Sequence, residues 1–150
     1  MSDDLNFMMG EYQASIPSDR NYSPRHMWLR PTVNNALRVG LTAYSVRLLQ
    51  DVYFLEWTID PGMQVEDRHE IGEIESSKAV SSLFAPFAGR IIDFNETVLH
   101  DPSAINTDNY GAGWLFDMET DSSLLTPQQY VELLDEGWEK TQRAIKGQMN

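Results

Sequence analysis

The chain contains no cysteine. Disulfides, thiolate catalysis and cysteine-ligated metals are therefore excluded. Cations are scarce too: Lys and Arg number 11 against 23 acidic residues, for a net charge of −12. Nucleic-acid binding rests on cationic contacts with phosphate, so this balance argues against it, and against an anionic membrane surface as well. What it favours is solubility and attraction to basic partner surfaces. No stretch approaches the roughly 20 apolar residues of a membrane span. The opening Met1-Ser2-Asp3-Asp4 leads only into Leu5–Met9, which Asn6 interrupts. That is too short and too acidic for a secretory signal. A cytoplasmic protein is the expectation.

With 150 residues, 41% of them hydrophobic, the chain is long enough for one domain with a core. Residues 1–21 are polar, carry Pro17 and Asp19, and read as a flexible N-terminal extension. Residues 22–146 read as the single folded domain. Short segments with period-two alternation predict strands at Met27–Arg30, Ala36–Leu41, Val52–Thr58, Ile71–Glu75, Val80–Phe84, Arg90–Phe94 and Trp114–Met118. Turn residues separate them, among them Pro61-Gly62 and Gly111…Gly113. Many short strands at this spacing suggest a sandwich or barrel. Two helices interrupt the pattern. Thr42 can cap a short one through Leu49. A C-terminal helix begins at Thr126 as N-cap, with Pro127 at the first helical position and Gln129 completing a capping box. Tyr130, Leu134, Trp138, Thr141 and Ile145 then recur at helical spacing, so one face should lie on the sheet.

Enzyme signatures are missing. His26, His69 and His100 stand far apart, each without an obvious partner. His69, Glu73 and Glu75 would share a strand face, but a solvated acidic face accounts for them. Gly111-Ala112-Gly113 precedes a strand instead of following one and opening a helix, so it is no phosphate loop. Ser76, Ser77, Ser81 and Ser82 have no flanking base.

One lysine needs its own explanation. Only Lys78, Lys140 and Lys146 occur in the chain, and the last two lie in a charged C-terminal segment. Lys78 sits in Glu75-Ser76-Ser77-Lys78-Ala79, between two predicted strands. Small and polar residues suit a tight reversal there, which would hold the amine out at a hairpin tip. An exposed hairpin lysine is common; a lysine presented so for modification is the other reading.

The surrounding stretch G-E-I-E-S-S-K-A-V-S-S-L-F-A-P-F-A-G-R-I-I-D-F-N resembles the lipoyl-attachment segment of the glycine cleavage system H protein family, at Gly72, Glu75, Ser76, Lys78, Ala79, Pro86, Gly89 and Asn95. A second block, N-T-D-N-Y-G-A-G-W-L-F, resembles the family's C-terminal signature. A third runs through Tyr22, His26, Trp28, Val39–Thr42 and Asp51-Val52, so the resemblance covers about residues 22–137. It implies a mainly β barrel-sandwich hybrid, lipoyl/biotinyl-carrier-like, of two small antiparallel sheets with a short helix and a C-terminal helix. It further implies lipoic acid in amide linkage to Lys78, with Glu75, Ser76, Ser77 and Ala79 around it, and a non-catalytic carrier shuttling an aminomethyl intermediate. The implied partners are a lipoate ligase or lipoyl transferase and the glycine cleavage P, T and L proteins. Glu66, Asp67, Glu70, Glu73 and Glu75 are candidates to steer docking, and a monomer is expected. The chain departs from the family's usual residues at Arg25, Met27, Ala43, Ser77 and Ser82. Two alternatives therefore stay open: an H-like lipoate-binding protein carrying sulfur cargo in bacterial sulfur oxidation, and an unmodified interaction or regulatory module.

Overall fold

A computed structural model describes residues 4–149, with side chains over 4–144. In chain order the elements are β1 (Leu5–Met9), β2 (Tyr12–Ile16), β3 (Asn21–Tyr22), β4 (Met27–Pro31), β5 (Leu37–Leu41), α1 (Ala43–Leu49), β6 (Val52–Trp57) and β7 (Gln64–Val65). Then come β8 (Glu70–Ser76), β9 (Val80–Phe84), β10 (Gly89–Phe94), α2 (Glu96–His100), α3 (Ala104–Thr107), β11 (Phe116–Glu119) and α4 (Pro127–Met149). The strands form a six-stranded sheet in the order β3-β4-β5-β11-β10-β7, a three-stranded sheet β6-β8-β9 and a separate hairpin β1-β2.

Alternation creates the main core. In β10, Ile91 and Phe94 face in while Arg90 and Asp93 face out, with a bulge opposite β11 between Ile91 and Asp93 resetting the phase. Ile71, Ile74 and Leu83 of the three-stranded sheet meet Leu29, Val39, Ile91, Phe116 and Met118 of the larger one, all within one buried cluster. Two glycines permit close backbone approach in these sheets. A Cβ on Gly72 would lie 2.6 Å from the Glu56 carbonyl oxygen, and one on Gly89 would collide with that of Glu119.

The predicted caps form. The Thr42 hydroxyl accepts from Ser45 N–H at 3.3 Å to start α1. Thr126 and Gln129 satisfy each other's backbone N–H groups at 2.9 and 3.1 Å to start α4. Tyr130 and Leu134 of α4 are buried and Trp138 and Thr141 partly so, while the side chain of Ile145 lies outside the described residues.

The N-terminal segment departs from expectation. Instead of a loose extension, residues 5–16 form a hairpin whose Phe7, Met9, Ala14 and Ile16 are buried. Their partners are Tyr22, Trp28, Tyr44, Tyr130 and Leu134, which together make a second core between α1, α4 and the edge of the large sheet. Polarity misleads here because a two-strand piece needs to bury just one face, and Asn6, Gln13 and Ser15 on the other are exposed.

Candidate functional site

β8 and β9 pair directly, down to Glu75 opposite Val80. Beyond that pair the chain reverses over Ser77 and Lys78, with Ser76 N–H donating to the Ala79 carbonyl at 2.9 Å. Neither tip residue has a left-handed φ, so this is not the primed turn common in two-residue hairpins. The Ser76 hydroxyl takes over much of the turn's bonding. Its oxygen accepts from Lys78 N–H at 3.3 Å and Ala79 N–H at 3.2 Å and donates to the Ala79 carbonyl at 3.3 Å. Ser76 itself is only 4% exposed, which fixes that hydroxyl in place.

The tip is also tied from the side. Ser77 N–H donates to the Asp51 carbonyl at 2.9 Å, and Asp51 N–H donates back to the Ser77 hydroxyl at 3.2 Å. Asn106 of α3 grips the residues either side of Asp51: its carboxamide oxygen accepts from Val52 N–H at 2.8 Å and its NH2 donates to the Gln50 carbonyl at 2.6 Å. Lys78 is exposed on this braced tip, and among the described residues its ammonium takes part in no ion pair. An amine so held is open to acylation, and losing its charge would leave no partner unsatisfied.

Beside the tip runs a groove of about 470 Å³ that Lys78 and Ala79 line at one end. Its floor includes Leu41, Ile74 and Leu83, and its other wall comes from α1 and α4 through Ser45, Leu48, Thr141 and Ala144. Arg25 and His26 stand at the edge. Arg25 is paired with Asp67 at 3.1 Å. His26 bonds through Nδ1 to the Tyr130 hydroxyl at 2.9 Å, and that hydroxyl also meets the Thr42 hydroxyl at 2.9 Å. Burial, aided by the neighbouring Arg25 charge, lowers the His26 pKa to about 4, so the imidazole is neutral near pH 7. Burial likewise pushes the Tyr130 phenol well above its ordinary range, which keeps it a neutral hydrogen-bonding group.

Glu75, Ser76, Ser77, Lys78 and Ala79 thus come together at one tip. The acidic candidates scatter: Asp67 is taken by Arg25, and Glu70 accepts from the Ser82 hydroxyl at 2.7 Å. Among the described residues no three His, Asp or Glu side chains gather as a metal site, and no helix is long and apolar enough to cross a membrane. Sequence reasoning placed Asp51 and Asn106 within the family-like blocks but gave them no role at the tip, because the bonds they make there are to or from backbone groups. It also missed the groove wall on α4, more than sixty residues from the lysine.

Antiparallel sheets packed over one core and an exposed lysine held out on a braced hairpin are the arrangement expected of the carrier class that the sequence resembles. Comparison narrows the class. The family model described as "Glycine cleavage H-protein" matches residues 20–137. The glycine cleavage system H protein of Mycobacterium tuberculosis strain H37Rv is 40% identical over 110 residues, covering 73% of this chain and 81% of the relative. That of Thermobifida fusca is 37% identical over 125 residues, covering 81% and 97%. The crystal structure of a glycine cleavage system H protein from Mycobacterium marinum superposes with a TM-score of 0.69 at 36% identity, covering 81% of this chain and 98% of that one. The chain belongs to the glycine cleavage H-protein family.

Proposed function

We propose that Lys78 carries lipoic acid in amide linkage and that the protein serves the glycine cleavage system as its lipoyl carrier, itself performing no catalysis. The observation that carries this reading is the exposed, unpaired Lys78 at the hydrogen-bonded β8–β9 tip. Amide formation joins Nζ to the carboxyl carbon of an activated lipoyl group, expelling the activating group and protons of the ammonium, and so removes the positive charge. The resulting tether reaches about 14 Å from the lysine Cα, from bond geometry. When bound, the dithiolane would supply a reducible sulfur pair able to carry an aminomethyl group, with the P, T and L proteins as the partners that load, unload and reoxidise it.

The chain's own residues set the stage for this. Ser76 fixes the turn, Ser77 anchors it to Asp51, and Ala79 leaves the amine uncrowded for a lipoate ligase or lipoyl transferase. Glu75, between Phe54 and Val80 on the neighbouring strands, offers an acidic mark three residues before the lysine. Residues 22–146 form the carrier domain in this reading, acting as a monomer in the cytoplasm, with the N-terminal hairpin as an added brace.

Mass spectrometry after co-expression with a lipoate ligase tests the attachment. An addition of about 188 Da, the lipoyl amide, is expected, and it should be lost in Lys78→Arg. Absence of the adduct on the unsubstituted chain would refute the reading. The modified protein should then support glycine–bicarbonate carbon exchange by glycine decarboxylase. Failure beside an active control H protein would replace the aminomethyl cargo with another, such as sulfur.

A further inference from the structure

Large apolar side chains crowd one exposed face of the molecule. Of the eight that are exposed among the described residues, Tyr53, Phe54, Val80 and Phe84 belong to the three-stranded sheet. Register sets three of these on its outer side. Phe54 stands opposite Glu75 and Glu75 opposite Val80, while Glu56, Glu73 and Ser82 form the next row. Phe84 ends β9 opposite Glu70. The alternate residues Leu55, Ile74 and Leu83 are buried, so these rows face solvent. Phe54, Val80 and Phe84 remain 39%, 65% and 43% exposed, enough to matter to a partner.

The charges on this face are ordered too. β6, β8 and β9 contain no lysine or arginine. Their acids, Glu56, Glu70, Glu73 and Glu75, all lie in the outer rows, and none enters an ion pair among the described residues. At the Phe84 corner the sign reverses. There Arg25, Arg68 and Phe84 line a hollow of about 290 Å³. Asp67 takes up the Arg25 charge at 3.1 Å. Arg68 is exposed and enters no ion pair among the described residues. Its φ of 67° is left-handed, a conformation that glycine or asparagine takes more readily. The turn itself therefore gains nothing from an arginine.

We propose that the outer face of β6, β8 and β9 is the docking surface for the enzyme that acylates Lys78, which meets Phe54 and Phe84 with an apolar patch, Glu56 and Glu73 with cations, and Arg68 with a carboxylate. The proposal rests on lipoylation of Lys78. The occupant follows from reach. Before acylation the amine extends only about 6 Å from the lysine Cα, so the acylating enzyme closes on the surface adjoining the tip. That surface begins at Glu75 and Val80, the last pair before the reversal. Phe84 lies four residues along β9, about 13 Å away, within the span of an interface of about 800 Å² per partner. Enzymes that act on the finished arm work through a tether of about 14 Å and can stand off from this face. Charge complementarity sets the orientation: acids near the tip and a cation at the far corner fix one register, which a surface of single sign would not. Aromatic and arginine side chains are also the types enriched at interfaces.

A purified lipoate ligase tests the docking. Initial rates of the addition of about 188 Da are measured against concentration of the unmodified chain, giving kcat and KM for the protein substrate. Phe54→Ser and Phe84→Ser should each raise KM about tenfold, as loss of an interface anchor does, with kcat within about twofold. Arg68→Glu, on an exposed turn where folding is not at stake, should raise KM by a similar factor. That rise should shrink in about 0.5 M salt, and Arg68→Lys should keep KM near the original value. Val33→Ser removes a 98% exposed apolar side chain from the turn between β4 and β5, and should alter neither constant. A KM within about twofold of the original in Phe84→Ser or in Arg68→Glu, or a loss confined to kcat, would overturn the proposal. No adduct on the unsubstituted chain would instead remove the carrier reading on which it stands.

Discussion

Phe7→Ala tests whether the N-terminal hairpin is an integral part of the structure. Phe7 is 6% exposed and packs edge-on against Tyr44 and Trp138. Truncating a buried phenylalanine costs about 3–5 kcal/mol, and each aromatic edge contact contributes about 0.5–1.5 kcal/mol beyond burial. A loss of about 4 kcal/mol is the direct expectation. A ceiling applies, because a hairpin that detaches on its own limits the global loss to its docking free energy. The second core argues for a high ceiling: Met9, Ala14 and Ile16 are buried alongside Phe7, and Ala14 and Ile16 are fully inaccessible. With a urea slope of about 2 kcal/mol per molar, the midpoint should fall by about 1.5–2 M. Trp138→Ala and the double variant complete a cycle, which should show coupling of about 1 kcal/mol for the shared contact. A midpoint shift below about 0.25 M, equivalent to the ~0.5 kcal/mol of a surface change, would refute the reasoning. The hairpin would then be a loose appendage.

Three further outcomes are expected. Ser76→Ala removes the hydroxyl that accepts from Lys78 and Ala79 N–H groups; it should cost about 1–2 kcal/mol in urea unfolding and slow the appearance of the lipoyl adduct. His26 has a folded-state pKa near 4 against 6.5 unfolded, so the unfolded state binds the extra proton and stability falls as pH drops from 6.5 toward 4. The slope is at most about 1.4 kcal/mol per pH unit. His26→Asn, which tolerates the left-handed φ of 62°, should lack this component when unfolding is compared at pH 7, 6 and 5. Asn106→Asp turns the donor facing the Gln50 carbonyl into an acceptor and should cost about 1–3 kcal/mol in thermal or urea unfolding.

The β framework and both caps were legible because their signals are local. Ile71, Ile74 and Leu83 show which face of each strand is wet, and Thr126 with Gln129 marks a helix start within four residues. The Lys78 tip was legible for the same reason. The hairpin at residues 5–16 was equally available: Phe7, Met9, Ala14 and Ile16 alternate about Gly10, whose φ of +65° makes the turn. Outward Asn6, Gln13 and Ser15 made the segment read as polar, and outward Met8 blurred the alternation. Thr141 and Ala144 could not be placed beside Lys78 by any local rule, since only the packing of α4 against Tyr44 and Phe7 brings them there.

The stiffness of the tip depends on a cost accepted elsewhere. Gln50 ends α1 with φ 63° and ψ −140°, a conformation rare outside glycine, worth about 1–3 kcal/mol of strain. Three bonds oppose that strain: Gln50 N–H to the Val46 carbonyl at 2.9 Å, the Gln50 side chain to the Arg47 carbonyl at 2.8 Å, and Asn106 to the Gln50 carbonyl at 2.6 Å. The sharp exit they enforce delivers Asp51 to Ser77, one residue from the lysine. A relaxed exit from α1 would carry Asp51 elsewhere and leave the tip tied only by its own two strands. The strained residue therefore acts on Lys78 without touching it: it converts the position of one helix end into the position of an amine, which in the carrier reading a modifying enzyme and later partners would all need to find in the same place.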